Sequence, residues 1–83
     1  MDVKVGKVYR HYKGNLYLVE GIATHSENEE KMVVYRALYG DCTLYVRPYD
    51  LFTEKLDKIK YFDVKQEYRF QLVEITSNVK YSD

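Results

Sequence analysis

The chain has no tryptophan, one proline, one cysteine and two histidines, and no excess of either charge. Each shortage excludes something. A lone Cys42 can form neither an intramolecular disulfide nor a cysteine-based metal knot. Secreted domains this short usually carry disulfides, so the missing cysteines favour a reducing, cytoplasmic setting. No apolar run approaches the roughly 20 residues that span a bilayer, and Met1-Asp2-Val3-Lys4-Val5 lacks the apolar stretch of a signal peptide, so no membrane is expected as a partner. Thirteen basic side chains balance thirteen acidic ones. Gripping a phosphate backbone needs clustered positive charge. Lys4, Lys7, Arg10 and Lys13 against Asp2 and Glu20 make only a mild local excess, so nucleic acid stays open as a partner but is not indicated.

What the chain does have is tyrosine: ten of them, with three phenylalanines. A Tyr ring is apolar and its hydroxyl can stay wet, which suits a half-buried sheet surface. With 46% hydrophobic residues, the 83-residue chain has enough apolar side chains to fold as one small domain. That domain is expected over residues 1–75, with 76–83 as a C-terminal tail.

Alternation and turn chemistry place the strands. Residues 7–12 read as a first strand, and Gly14-Asn15 after it is a hairpin signal, because Gly supplies the positive φ. Residues 16–24 form a second strand, with Tyr17, Val19, Gly21 and Ala23 on one face and Leu18, Glu20 and Ile22 on the other. Gly21 inside it points to a bend, a bulge or a close approach. His25 to Glu30 is a polar, acidic turn. Residues 31–39 carry the highest β-propensity, in Met32-Val33-Val34-Tyr35. Residues 43–47 follow, and Pro48 ends them because it cannot donate to a ladder. Pro48 to Leu51 reads as a single turn dropping Leu51 and Phe52 inward. Phe52, Leu56, Ile59 and Phe62 then sit at helix-like spacing, while Asp57-Lys58 suits a turn between strands equally well. Residues 69–74 make a last strand. The expected core is Val19, Ala23, Val34, Leu38, Val46, Leu51, Phe52 and Phe70.

The fold class that follows is all-β, or mostly β: a small SH3-like barrel or roll of about five strands, since closure removes exposed edges. An open α+β sandwich with residues 53–62 helical is the second choice.

One stretch is similar to a known family. Gly6 and Tyr9-Arg10-His11-Tyr12-Lys13-Gly14 carry the first part. Tyr17, Val19, Gly21 and Ala23, then His25-Ser26-Glu27, continue it. Val34-Tyr35-Arg36-Ala37-Leu38-Tyr39-Gly40, Val46-Arg47-Pro48 and Phe52 complete it. On these residues the chain resembles the bacterial family numbered 1653 among domains of unknown function. The resemblance implies a compact SH3-like roll and no activity. The chain departs from the family at Tyr45, where Trp is common, so a stacking surface there is smaller. It departs again at Tyr68-Arg69-Phe70, where Pro-Arg-Phe is usual.

The candidate functional residues divide into two sets. Tyr9 and His11 share one face of the first strand, Arg10 and Tyr12 the other. Arg47 ends the fourth strand, where its side chain can swing over the mouth of the expected barrel, and the planar fork of Arg36 or Arg47 suits carboxylates and phosphates. An internal ion pair with Glu20, Glu27 or Asp50 is the alternative use for either. The binding set is therefore Arg10, His11, Tyr35, Arg36, Tyr39 and Arg47. Arg47 and at least one of Arg10 and Arg36 are expected around a single concavity. In the second set, His25 and Glu27 offer an acid–base pair, but no Gly-x-Ser-x-Gly elbow accompanies Ser26 and no orienting third group is evident. Ordinary turn chemistry explains the same residues. His11, His25 and Glu27 have the residue types of a two-His, one-carboxylate iron site, without supporting context, so no metal and no cofactor are expected. Cys42 has no neighbour that would activate its thiol.

Three functions fit this reading. The first is a non-enzymatic binding module for an unknown small ligand or peptide. The second is a small enzyme using His25 and Glu27. The third is a structural or homo-oligomeric module pairing through a sheet edge.

Overall fold

The computed structural model describes residues 1–74; the expected tail at 76–83 lies outside them. Five strands form: β1 (Val8–His11), β2 (Leu16–Thr24), β3 (Lys31–Ala37), β4 (Leu44–Pro48) and β5 (Phe70–Leu72). One helical turn, α1 (Tyr49–Phe52), follows β4. The domain is mostly β, as expected, with all pairings antiparallel in one sheet of order β4-β3-β2-β1-β5.

The sheet is not closed. Among the described residues β4 and β5 do not pair with each other, so the expected barrel is corrected to an open, curved sheet. On its concave side α1 sets Phe52 against Tyr9, Tyr35 and Phe70, and a further segment follows α1. That segment is not helical over 53–62. It folds back on itself, with the Leu56 N–H donating to the Glu67 carbonyl and the Arg69 N–H to the Glu54 carbonyl, both at 2.9 Å. Ile59 and Phe62, which the helical spacing would bury with Leu56, are 90% and 83% exposed. Among the described residues no helix is long and apolar enough to cross a membrane.

The turns follow local chemistry. Gly14 takes a φ of 110°, which a side chain rarely permits, and its N–H donates to the His11 carbonyl at 2.7 Å. The β3–β4 turn ends β3 at Ala37, two residues earlier than the sequence suggests. There the Cys42 N–H donates to the Tyr39 carbonyl at 3.0 Å.

The core sits on the concave face. Tyr9, Val19, Val33, Tyr35, Phe52 and Phe70 form one buried cluster, with Val3, Tyr17, Tyr49 and Leu72 packed against it. The rings of Phe52 and Phe70 stack at 4.2 Å, and Tyr9 and Tyr35 meet Phe52 edge-on at 5.6 and 5.3 Å. Each buried phenol also has a polar partner. The Lys4 N–H donates to the Tyr9 hydroxyl at 2.8 Å, and Arg47 Nε to the Tyr35 hydroxyl at 3.2 Å.

Val19, Phe52 and Phe70 are buried as the sequence suggests, but Ala23, Leu38, Val46 and Leu51 are exposed and Val34 is only half-buried. The phase of β3 explains most of this: its inner residues are Val33, Tyr35 and Ala37, not Val34 and Leu38. A bulge changes the phase of β2 as well. Val19 pairs with Tyr35 and Gly21 with Val34, leaving Glu20 as the extra residue. Beyond it Ile22, not Ala23, shares the inner face with Val33, which it opposes. In α1, Thr53 Oγ1 donates to the Tyr49 carbonyl at 2.9 Å, and the turn aims Phe52 inward while leaving Leu51 outside.

Candidate functional site

Residues two apart on a strand point to the same side, and directly paired residues share a face. On β4 this puts Tyr45 and Arg47 together on the concave side, opposite Tyr35 and Val33 of β3. On β1 it puts His11 beside Tyr9, and His11 pairs with Phe70 of β5. Tyr17 comes from β2, opposite Tyr9. The result is a cavity of about 240 Å³ lined by His11, Tyr17, Tyr35, Tyr45, Arg47 and Phe70.

Its walls are aromatic. Tyr45 stacks on Tyr35 at 5.7 Å, and Tyr17 and Phe70 meet Tyr35 edge-on at 5.4 Å each. Tyr17 also shares a hydroxyl–hydroxyl hydrogen bond of 2.9 Å with Tyr39 at the rim. Burial, then that bond, pushes the Tyr17 phenol well above its usual range, so it stays neutral.

Arg47 is the cation of this cavity. Its guanidinium carbon lies 5.4 Å from the centre of the Phe70 ring, a cation–π position. Among the described residues no carboxylate pairs with it. His11 sits against the same Phe70 ring at 4.9 Å. Burial, with the nearby charges of Arg69, Arg47 and Lys13, lowers its pKa from 6.5 to about 4. At neutral pH the ring is therefore uncharged. Its Nδ1 accepts the Lys13 N–H at 3.1 Å, which leaves the proton of the neutral ring on Nε2.

Of the six residues read as the binding set, the structure brings His11, Tyr35 and Arg47 into one cavity and leaves Tyr39 at its rim. Arg10 and Arg36 do not join them, which corrects the expectation that one would. Arg10 alternates with the buried Tyr9 and so faces outward, beside a second hollow of about 330 Å³ shared with Gln66, Gln71 and Glu74. Arg36 is also on the outer face, where Nε donates to Glu20 at 2.6 Å and a terminal nitrogen to the Cys42 carbonyl at 2.9 Å. This is the internal ion pair weighed against a ligand role, and the pair lowers the Glu20 pKa and raises that of Arg36.

The structure puts His25 and Glu27 in the β2–β3 turn. The Glu27 backbone N–H donates to His25 Nδ1 at 3.2 Å, so the contact is amide to ring, not carboxylate to ring. Neither residue lines the cavity. Among the described residues no three His, Cys, Asp or Glu side chains gather where a metal ion could be held, so His11, His25 and Glu27 are not brought together.

Sequence reasoning left Tyr17, Tyr45 and Phe70 out of the binding set, with Tyr45 noted only as a reduced stacking surface. A usable signal existed for one of them. Tyr45 stands two residues before Arg47, so any strand that presents one must present the other on the same face.

The family described as "Protein of unknown function (DUF1653)" matches residues 7–72. The chain belongs to the DUF1653 family. Among solved structures, a DUF1653 protein from Bordetella bronchiseptica is similar, with 32% identity and a TM-score of 0.70 over 94% of this chain and 96% of its own. No curated protein matches. The family match encloses all five strands and every lining residue of the aromatic cavity, from His11 to Phe70. The cavity is thus built wholly from the shared domain.

Proposed function

We propose that this DUF1653 domain is a non-enzymatic binding module, and that its ligand site is the aromatic cavity around Arg47. One observation carries the reading. The half-buried Arg47 lines a cavity with Tyr17, Tyr35, Tyr45 and Phe70, its guanidinium over the Phe70 ring, and has no carboxylate partner among the described residues. A partly desolvated cation without a counter-charge is costly unless something negative completes it. The two other well-placed arginines lack this property, since Glu20 matches Arg36 and Glu54 matches Arg69.

Binding fits better than catalysis because of where the titratable groups lie. A general acid or base works best with a pKa near the operating pH. His11, the titratable group of the cavity besides the tyrosines, is pushed well below neutrality. His25 and Glu27 stand apart in their turn.

The test is an NMR screen of the ¹⁵N-labelled chain with small aromatic fragments of positive, neutral and negative charge. The expected result is that anionic fragments shift the resonances of His11, Tyr17, Tyr45 and Arg47 together, and that Arg47→Gln abolishes the response while the remaining amide spectrum stays folded. The reading fails if fragments of every charge leave these residues unmoved, or if a fragment is turned over.

A further inference from the structure

The size, charge and wall chemistry of the Arg47 cavity narrow its ligand beyond an anionic fragment. We propose that the ligand is a carboxylate carried on a single flat aromatic ring; this rests on the binding reading above and specifies its chemical class.

Charge comes first. Among the lining residues Arg47 contributes one positive charge and no acid offsets it. The nearby Arg69 is already matched by Glu54 at 3.2 Å. One unmatched guanidinium calls for one negative charge. A phosphate dianion would bring a second charge into a partly desolvated site with nothing opposite it.

Orientation comes next. Arg47 Nε is committed to the Tyr35 hydroxyl at 3.2 Å, which turns that edge of the guanidinium toward Tyr35. Its two terminal nitrogens have no acceptor among the described residues. Side by side, they present the parallel donors that a carboxylate accepts through both oxygens. The Tyr35 hydroxyl, accepting from Nε, keeps its own proton to donate. His11 adds a neutral donor at Nε2, since the Lys13 N–H occupies Nδ1. A neutral N–H supports an anion without adding a second charge to balance.

Size and shape decide the rest. The cavity, at about 240 Å³, lies below the roughly 300 to 1,000 Å³ of sites that take drug-sized ligands. It has room for one ring and its acid group. Tyr45 is 42% exposed at the mouth, leaving ring surface open to a flat partner. The edge-on Tyr17 and Phe70 bound the space on the other sides.

The experiment titrates the full chain with benzoate, phenyl phosphate, benzamide and cyclohexanecarboxylate, following the Arg47 Nε–H and the aromatic protons of Tyr45 and His11. Benzoate should shift all three. Benzamide, which lacks the charge, and cyclohexanecarboxylate, which lacks the flat ring, should bind about tenfold more weakly or worse. Arg47→Lys should weaken benzoate by a similar factor, because a point charge replaces the planar fork. Tighter binding of phenyl phosphate than of benzoate would overturn the carboxylate and leave the binding module standing. Equal binding of cyclohexanecarboxylate would overturn the flat ring alone. Silence from all four probes, with fragments of other classes binding at the same residues, would overturn the ligand class but not the site. Silence from every fragment would remove both.

Discussion

The two faces of the sheet differ in which large side chains they hold. The concave face buries Tyr9, Tyr35 and Phe70 with two valines and Ala37, while the outer face leaves Leu38, Leu44 and Val46 between 44% and 58% exposed. The largest buried side chains are aromatic (Tyr9, Phe52 and Phe70), while these three aliphatics stay out. The reason is economy of chain: an aromatic side chain buries about 150–250 Å² from one position, and a domain this small has few core positions. Burial costs little here because each buried hydroxyl has its partner. The same choice makes the site, since rings that begin as core at Tyr35 and Phe70 continue outward as the cavity walls at Tyr17 and Tyr45.

The largest test of this contrast uses neighbours. Phe52 is fully buried and Leu51 beside it is 49% exposed. Phe52→Ala should cost about 3–5 kcal/mol in urea denaturation, for lost burial and the cavity left against Phe70. Leu51→Ala should cost about 0.5 kcal/mol or less, as an ordinary surface change does. Similar losses at both positions would mean that α1 does not separate inside from outside as described.

The second test uses His11, the titratable edge of the concave face. Its folded pKa of about 4 lies below the unfolded 6.5, so the unfolded chain takes up the proton first. This residue's linkage therefore leaves full stability above pH 6.5, removes it progressively down to about pH 4, and changes little below that. Carboxylates titrate in the same window, so the useful quantity is the difference between the wild type and His11→Gln. The variant should gain on the wild type as pH falls from 7 to 4. A gap independent of pH, or a His11 pKa near 6.5 by NMR, would put the ring in water.

Much of this architecture was legible in the sequence, and what was not has a local cause. The β2 and β3 strands, the Gly14 turn and the break at Pro48 follow from alternation and turn chemistry, which are local properties. The phase of the faces is not local. Alternation in Met32-Val33-Val34-Tyr35 says that two faces exist, but only the pairing across β2 decides which is inner. The bulge at Glu20 shifts that pairing halfway along the strand. Ranking Val and Leu as core and Tyr as surface then chose the wrong side. The site was half legible for the same reason: Arg47, His11 and Tyr35 lie on the inner phase, Arg10 and Arg36 on the outer. Nothing local in the sequence says that Arg36 meets Glu20, sixteen residues away across two strands.

A smaller effect separates the two parts of a buried tyrosine. Tyr9 is 1% exposed, and its hydroxyl accepts the Lys4 N–H at 2.8 Å. Tyr9→Phe keeps the ring and removes the acceptor, so it should cost about 0.5–1.5 kcal/mol, well short of a truncation. If the core uses Tyr9 only as a ring, the substitution will be neutral. In that case the segment before β1 is not fastened by this bond.

The smallest predicted effect bears on the outer face, where the contrast is most open to challenge. Val46 is 58% exposed on the edge strand β4, paired with the half-buried Val34. Val46→Thr keeps the β-branch, and with it the strand preference, and exchanges one methyl group for a hydroxyl. On a solvated face that exchange should change stability by about 0.5 kcal/mol or less, independently of protein concentration. An outer face covered by a second copy would answer differently. The hydroxyl would then enter an apolar contact, and the loss would exceed about 1 kcal/mol. Wild-type stability would also rise with concentration, since association adds to folding by mass action. Denaturation of the wild type and Val46→Thr at two concentrations a hundredfold apart, with sedimentation of each, distinguishes the cases. A flat response keeps the outer aliphatics as a wet surface; a concentration-dependent one would make the outer face a second interior shared between chains.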